Sequence, residues 1–284
     1  MAKKITVIGP GTMGTGIAQA FITAGFEVVL IGRSEESLQR GMAIIKSRMD
    51  KAAAKGKLSQ QEISSAMGNL KLSANYDDGR GSYAAIEAVS EKAETKMEVF
   101  KLAEEHIHSE ILATNTSSIP ISKLSEAVKD RSRFIGLHFF NPVPAMKPVE
   151  VILGKDTSKV TAEAALRLIE ECGKVPIEVI DYPGFVANSV LMPMLNEAII
   201  LLEKGVSTKE GIDTIIKLGL NHPMGPLELA DYIGLDVCKD IMDSIYNETH
   251  DMKFKPAEML VQLVSAGKLG RKTGEGFYLY KQER

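Results

Sequence analysis

Three glycines near the start of the chain are spaced to receive a phosphate. Gly9, Gly11 and Gly14 stand in G-P-G-T-M-G, directly after the β-branched run KKITVIG and directly before a run with helical spacing. In such a loop the first glycine permits a tight turn, the second lets a pyrophosphate reach the backbone, and the third lets the helix pack close to the strand. The open N–H groups at the helix start then bind the anion. An isolated G-x-G-x-x-G says little, but at a strand–helix junction it points to a bound dinucleotide. Gly9, Gly11, Thr12, Met13 and Gly14 are therefore candidate cofactor-binding positions.

The second strand of the same unit ends in VVLIGRS, residues 28–34. A dinucleotide site that prefers NAD places a carboxylate at that strand end, about 20 residues past the loop, to accept the ribose 2′-OH. Here Gly32 occupies the position and Arg33 and Ser34 follow. A glycine removes the repulsion that an acid would exert on a 2′-phosphate. Arg33 offers a planar fork of donors to that phosphate, and Ser34 offers a hydroxyl. The expected cofactor is NADP(H), with NAD(H) as the second choice. Restoring an acid by Gly32→Asp is expected to invert the order.

These residues need elements to hold them. Residues 3–9, 14–25 and 26–32 read as strand, helix and strand, one βαβ unit. Residues 35–72 are polar, helical and rich in Lys and Ala, with a break near Gly56, and predict an antiparallel helix pair standing out from the body. YAAIEAV (83–89), EILATN (110–115), RFIGLH (133–138), VEVIL (149–153) and VPIEVI (175–180) read as further strands, with helical stretches separating several of them. That is the pattern of a doubly wound sheet. After DYPGF (181–185) the patterns are helical, with one further strand expected at GFYLY, residues 276–280. The chain thus divides into an α/β domain over 1–181, carrying the hairpin at 35–72, and an all-helical domain over 182–284.

Composition narrows the class. The 284 residues are 44% hydrophobic and 25% charged, with a formal net charge of −3, an ordinary globular mix. Nucleic-acid binders carry a basic excess, so that class is disfavoured. Cys172 and Cys238 stand at no metal-ligand or redox spacing and read as packing residues. The run after MAKK is too short for a signal sequence or a membrane span. The expectation is a cytoplasmic protein with no metal and no membrane or nucleic-acid partner.

Five segments carry a resemblance over essentially the whole chain: LATNTSSIPI (112–121), GLHFFNPVPAMKPVEVI (136–152), PGFVANSVLMPMLNEA (183–198), NHPMGPLELADYIGLD (221–236) and GRKTGEGFYLY (270–280). In this order they resemble the short-chain L-3-hydroxyacyl-CoA dehydrogenases, especially the bacterial 3-hydroxybutyryl-CoA dehydrogenases. The resemblance implies a Rossmann-type domain with an inserted helical hairpin, a helical substrate-binding and dimerisation domain, an acyl-CoA substrate, and a homodimer or higher homo-oligomer. It makes His138 look like the base and Glu150 like its orienting partner. Imidazole titrates near neutrality, as removal of a hydroxyl proton requires, and a carboxylate holds the ring in one tautomer. Ser117 looks like the residue bonding the substrate 3-oxygen, with Asn188 donating near the reacting carbonyl. Asn115 and Asn141 match cofactor- and site-lining positions. Glu91 and Lys96 match residues near the nicotinamide ribose, and Lys272 matches one that closes over the cofactor. Lys51 and Lys55, on the hairpin, are candidate partners for CoA phosphates.

Where this chain departs from the family, Gly32 replaces an aspartate. The implied reaction interconverts (S)-3-hydroxybutyryl-CoA and acetoacetyl-CoA, with reduction as the expected direction for NADPH. Two alternatives stay open. A free hydroxy acid as substrate would need no phosphate contacts on the hairpin. A non-catalytic dinucleotide-binding protein would have no use for His138, Glu150, Ser117 and Asn188 together.

Overall fold

The computed structural model describes residues 3–280. It begins with β1 (Lys4–Ile8), α1 (Thr12–Thr23) and β2 (Glu27–Ile31), then α2 (Glu35–Ala54), α3 (Gln60–Gly68) and β3 (Leu70–Ser73). The α/β part continues through β4 (Ala84–Glu87), α4 (Ala93–His106), β5 (Ile111–Thr114), the single turn α5 (Ile121–Leu124), β6 (Phe134–Phe139), β7 (Pro148–Leu153), α6 (Lys159–Glu171) and β8 (Val175–Ile180). All eight strands join one sheet in the order β3-β2-β1-β4-β5-β6-β7-β8. Each neighbouring pair is parallel except β6 and β7, which run antiparallel. This is a Rossmann-like doubly wound sheet.

The strands form where the sequence is continuously apolar, because helices cover both faces. β4, β5 and β6 are buried at every position. Ile5, Val7, Val28, Leu30 and Ile86 share one core with Ile17 and Phe21 of α1.

The hairpin differs from its expectation. Two helices form and turn near Gly56, yet they do not stand away from the body. Leu38, Ile45 and Met49 of α2 and Ile63 and Ala66 of α3 belong to the main core. They recur at helical spacing and form the inner stripe of helices that look polar overall. The segment also ends in a strand. Leu70–Ser73 pairs in parallel with Val28–Ile31 at the sheet edge. With Leu70 and Leu72 only partly buried, four residues carry too little alternation to be seen in sequence.

The described residues divide into two compact units between Tyr182 and Pro183. The second unit contains α7 (Ala187–Glu203), α8 (Lys209–Gly219), α9 (Pro226–Ile233), α10 (Leu235–Thr249) and α11 (Glu258–Ser265). Its own core includes Met192, Leu195, Ile199, Leu227, Leu235, Met242 and Leu260. Helices α9 and α10 are separated at Gly234, whose φ of 109° only glycine adopts readily. No strand forms at 276–280. Instead, the buried carboxylate of Asp231 accepts the N–H groups of Phe277 and Tyr278 and the Tyr280 hydroxyl. A side chain thus satisfies the donors that a strand partner would have taken. No helix among the described residues is long and apolar enough to cross a membrane.

Candidate active site

The parallel order brings the C-terminal ends of β1, β4, β5 and β6 to one edge of the sheet. The order in which strands are added reverses between β1 and β4, which lie side by side and parallel, and this makes the crevice there the usual ligand position in open α/β sheets. The phosphate loop lies at this point. Gly9 has φ of 111°, and a Cβ there would meet the Ala88 carbonyl at 2.7 Å. A Cβ on Gly14 would sit 1.8 Å from the Gly9 carbonyl oxygen, so the helix can lie this close only without a side chain. Gly11 faces open space and caps α1 without a side-chain hydrogen bond. The first turn of α1 holds no acid. Its N–H groups, including those of Thr12 and Met13, are therefore available to a pyrophosphate, and the loop fits a dinucleotide.

At the end of β2, Gly32 is buried while Arg33 and Ser34 are exposed. No ion pair among the described residues uses Arg33. Ser34 caps α2, its Oγ accepting from the Ser37 N–H at 3.2 Å. That contact leaves the hydroxyl proton free to donate. Glu35 and Glu36 in the same first turn are engaged by Gln39 and Arg40.

His138 and Glu150 are direct cross-strand partners in the antiparallel β6–β7 ladder. Their side chains meet at 2.7 Å between Nδ1 and Oε2, with His138 8% and Glu150 4% exposed. The contact occupies Nδ1. Phe140 packs on the imidazole with ring centroids 4.8 Å apart.

The loop after β5 is tied to the same strand. Asn115 accepts the Phe139 N–H through Oδ1 at 3.1 Å, next to His138. Glu91 reaches this loop from β4's end. It accepts the Thr116 hydroxyl at 2.6 Å and the Ser117 N–H at 2.8 Å. Burial alone would raise the Glu91 pKa, but Lys96 and these donors hold it below the usual carboxylate range.

Lys96 is shut away from solvent. Its ammonium is wholly buried, 2.9 Å from Glu87 Oε1, 3.2 Å from Glu91 Oε2 and 3.2 Å from the Asn115 carbonyl. It meets two carboxylates and a carbonyl and so ties the end of β4 to the loop after β5. The physical reason is Glu87, which is itself 0% exposed and requires a cation. Burial raises the Glu87 pKa, against the pull of Lys96, the Thr114 hydroxyl and the Val89 N–H. Glu87 escaped the sequence reading. A lone acid inside the apolar strand YAAIEAV was the available signal.

Asn141 is exposed just beyond β6. Asn188 is buried in the first turn of α7, in the second unit. Lys272 is in that unit too, its ammonium bonded to both oxygens of Asp236. On the hairpin, Lys51 lines an open groove along α2 with Ala43, Lys46, Ser47, Asp50 and Ala54. Lys55 is at the turn beyond the helix end and outside this groove. Lys46 and Ser47 share this groove, five and four residues before Lys51. Cys172 and Cys238 are buried, and burial pushes both thiols up to about 12, so they stay protonated at neutral pH.

Similarity to known proteins runs the length of the chain. Residues 4–182 match the 3-hydroxyacyl-CoA dehydrogenase NAD-binding domain, and residues 184–280 match the C-terminal domain of that family. The chain belongs to the 3-hydroxyacyl-CoA dehydrogenase family. It is 44% identical over 280 residues to the 3-hydroxybutyryl-CoA dehydrogenase of Clostridioides difficile, covering 98% of this chain and 100% of the relative. It is 40% identical over 292 residues to the mitochondrial hydroxyacyl-coenzyme A dehydrogenase of Sus scrofa, covering 99% and 92%. The crystal structure of (S)-3-hydroxybutyryl-CoA dehydrogenase PaaH1 from Ralstonia eutropha superposes with a TM-score of 0.96 at 43% identity, over 99% of this chain and 100% of that one. This family member therefore carries a nicotinamide-dinucleotide domain and the machinery of a hydroxyacyl-CoA dehydrogenase.

Proposed function

We propose that this family member interconverts (S)-3-hydroxybutyryl-CoA and acetoacetyl-CoA with NADP(H), chiefly as a reductase in a reducing cytoplasm. The observation that carries the chemistry is the 2.7 Å contact between His138 and Glu150 across β6 and β7. When bound, the nicotinamide supplies the hydride at its C4. In the oxidative direction His138 takes the proton of the substrate 3-hydroxyl through Nε2. In the reductive direction the imidazolium returns it. Glu150 accepts from Nδ1–H, which fixes the tautomer and stabilises the imidazolium. Ser117, held by Glu91, donates to the substrate 3-oxygen. Asn188 donates near the reacting carbonyl, and Asn115 and Asn141 line the site. The protein's share of catalysis is positioning and polarisation.

The cofactor reading rests on Gly32, Arg33 and Ser34. A 2′-phosphate carries nearly two charges at neutral pH, and a charge-assisted hydrogen bond to it is worth about 1.5–3 kcal/mol. One such bond at the low end gives a preference of about tenfold, and two at the high end about ten-thousand-fold. Steady-state rates of acetoacetyl-CoA reduction with each reduced cofactor test it. The expected outcome is a higher kcat/KM with NADPH, and an equal or higher value with NADH defeats the reading.

The α2 groove favours a CoA thioester over a free acid, because Lys46 and Lys51 put two cations there against the single carboxylate of Asp50. Charge reversal at Lys51 is expected to raise KM for acetoacetyl-CoA while kcat stays near the parent value, since remote contacts supply uniform binding. The effect shrinks in high salt. Lys55→Glu is expected to do less. If Lys51→Glu leaves KM unchanged, the phosphates bind elsewhere and the free-acid alternative gains.

A further inference from the structure

The absent carboxylate at residue 32 cannot be understood from that residue alone. A Cβ placed on Gly32 would lie 2.9 Å from Cγ of Pro10 and 3.0 Å from Cγ and Cδ2 of Leu38. Of the two, the Pro10 ring is the nearer and the stiffer, while the Leu38 side chain need give only a few tenths of an ångström. Leu38 is 0% exposed in the main core. Pro10 belongs to the phosphate loop, where its ring fixes φ. Its other side is closed as well, since a Cβ on Gly41 of α2 would sit 3.1 Å from Cβ of Pro10. The backbone on both sides is anchored. The Gly9 N–H donates to the Ile31 carbonyl at 2.8 Å, and the Gly32 N–H donates to the Ser73 carbonyl at 3.1 Å.

We propose that Pro10 is a specificity-determining residue, because its ring fills the space that any side chain at residue 32 would need and so keeps a ribose-binding acid out of the cofactor site. Pro10 and Gly32 act as a pair. Gly32→Asp alone does not invert the cofactor preference; it pushes the proline and displaces the loop that holds the pyrophosphate. Both cofactors share that pyrophosphate, so both lose affinity. Removing Cγ and Cδ by Pro10→Ala opens the space, and only then can an acid at residue 32 accept a ribose hydroxyl. This inference rests on the reading of the site as an NADP(H) site, but its structural core, the steric coupling of residues 10 and 32, does not.

Two measurements on four proteins test it: the parent, Pro10→Ala, Gly32→Asp, and the double variant. The first is kcat/KM with NADPH and with NADH. Gly32→Asp is expected to fall with both. The double variant is expected to exceed the parent with NADH by about tenfold, the worth of one ribose hydrogen bond. Pro10→Ala alone should shift the ratio little. The second is thermal melting of the cofactor-free proteins, with Gly32→Ala added because it introduces the Cβ and no charge. Gly32→Ala is expected to lower Tm in the parent background and to lower it much less in the Pro10→Ala background. Purely additive Tm changes, or a Gly32→Asp variant that gains with NADH as much as the double variant, overturn the proposal. A parent that prefers NADH defeats the cofactor reading, while the melting result still decides the coupling.

Discussion

His138→Gln lowers kcat by about 10²–10⁴-fold, the range over which a positioned acid–base group contributes. Binding of the reduced cofactor, followed by fluorescence, stays near the parent value, because His138 holds a proton and not the dinucleotide. Glu150→Gln is expected to lower kcat as well, since Nδ1 loses the charge that stabilises the imidazolium and its partner can present the wrong tautomer. The double variant is expected to be hardly slower than His138→Gln, because the two side chains act as one unit and their losses do not add. Stopped-flow rates of hydride transfer check this directly. If His138→Gln retains most of its turnover, another group moves the proton. If the single losses multiply in the double variant, Glu150 has a role separate from His138.

Lys96→Met is expected to destabilise the protein by about 3–5 kcal/mol, because it leaves the buried Glu87 carboxylate without its cation. Glu87 is 0% exposed and cannot turn to water. The lesion carries a pH signature. Burial already raises the Glu87 pKa, and loss of Lys96 raises it further. Between the unfolded value and that raised value, the folded state binds a proton that the unfolded state does not. Stability must then fall as pH rises through that window and recover as pH falls. The gap between parent and variant is therefore widest at neutral pH and narrows in mild acid. Adding Glu87→Gln should restore much of the loss at neutral pH by removing the unpaired charge. Chemical denaturation at two pH values measures this, and a pH-independent gap would mean that the loss comes from packing and not from charge. The same variant frees Glu91 and the Ser117 loop, so kcat should fall beyond what the stability loss explains.

The two expectations differ in how much of their basis can be read along the chain. HFFNP and the following PVEVI place His138 and Glu150 near the ends of successive strands, and apolar runs mark those strands. The glycine loop is legible because three small residues at one junction have one economical explanation. Glu87 and Lys96 are not legible as a pair. They come from a strand and the following helix, and nothing in their spacing shows that both are shut away from water. The hairpin was misjudged for a related reason. Its composition is polar, but Leu38, Ile45, Met49, Ile63 and Ala66 are enough to bind it to the core. Averages over a segment hide a stripe that is one residue wide per turn.

By itself the sequence determined the type of most elements, the position of the phosphate loop, and the family to which the chain belongs. Local forces govern those features: hydrophobic period, glycine at strained turns, and residue types suited to proton transfer. Tertiary structure alone decided which carboxylate neutralises Lys96, that GFYLY is pinned by Asp231 and not paired as a strand, that β3 extends the sheet, and that Pro10 occupies the space above Gly32. Each of these depends on contacts between residues distant along the chain or on steric room at an ångström scale. Close packing sets them, and close packing leaves no periodic trace in a sequence.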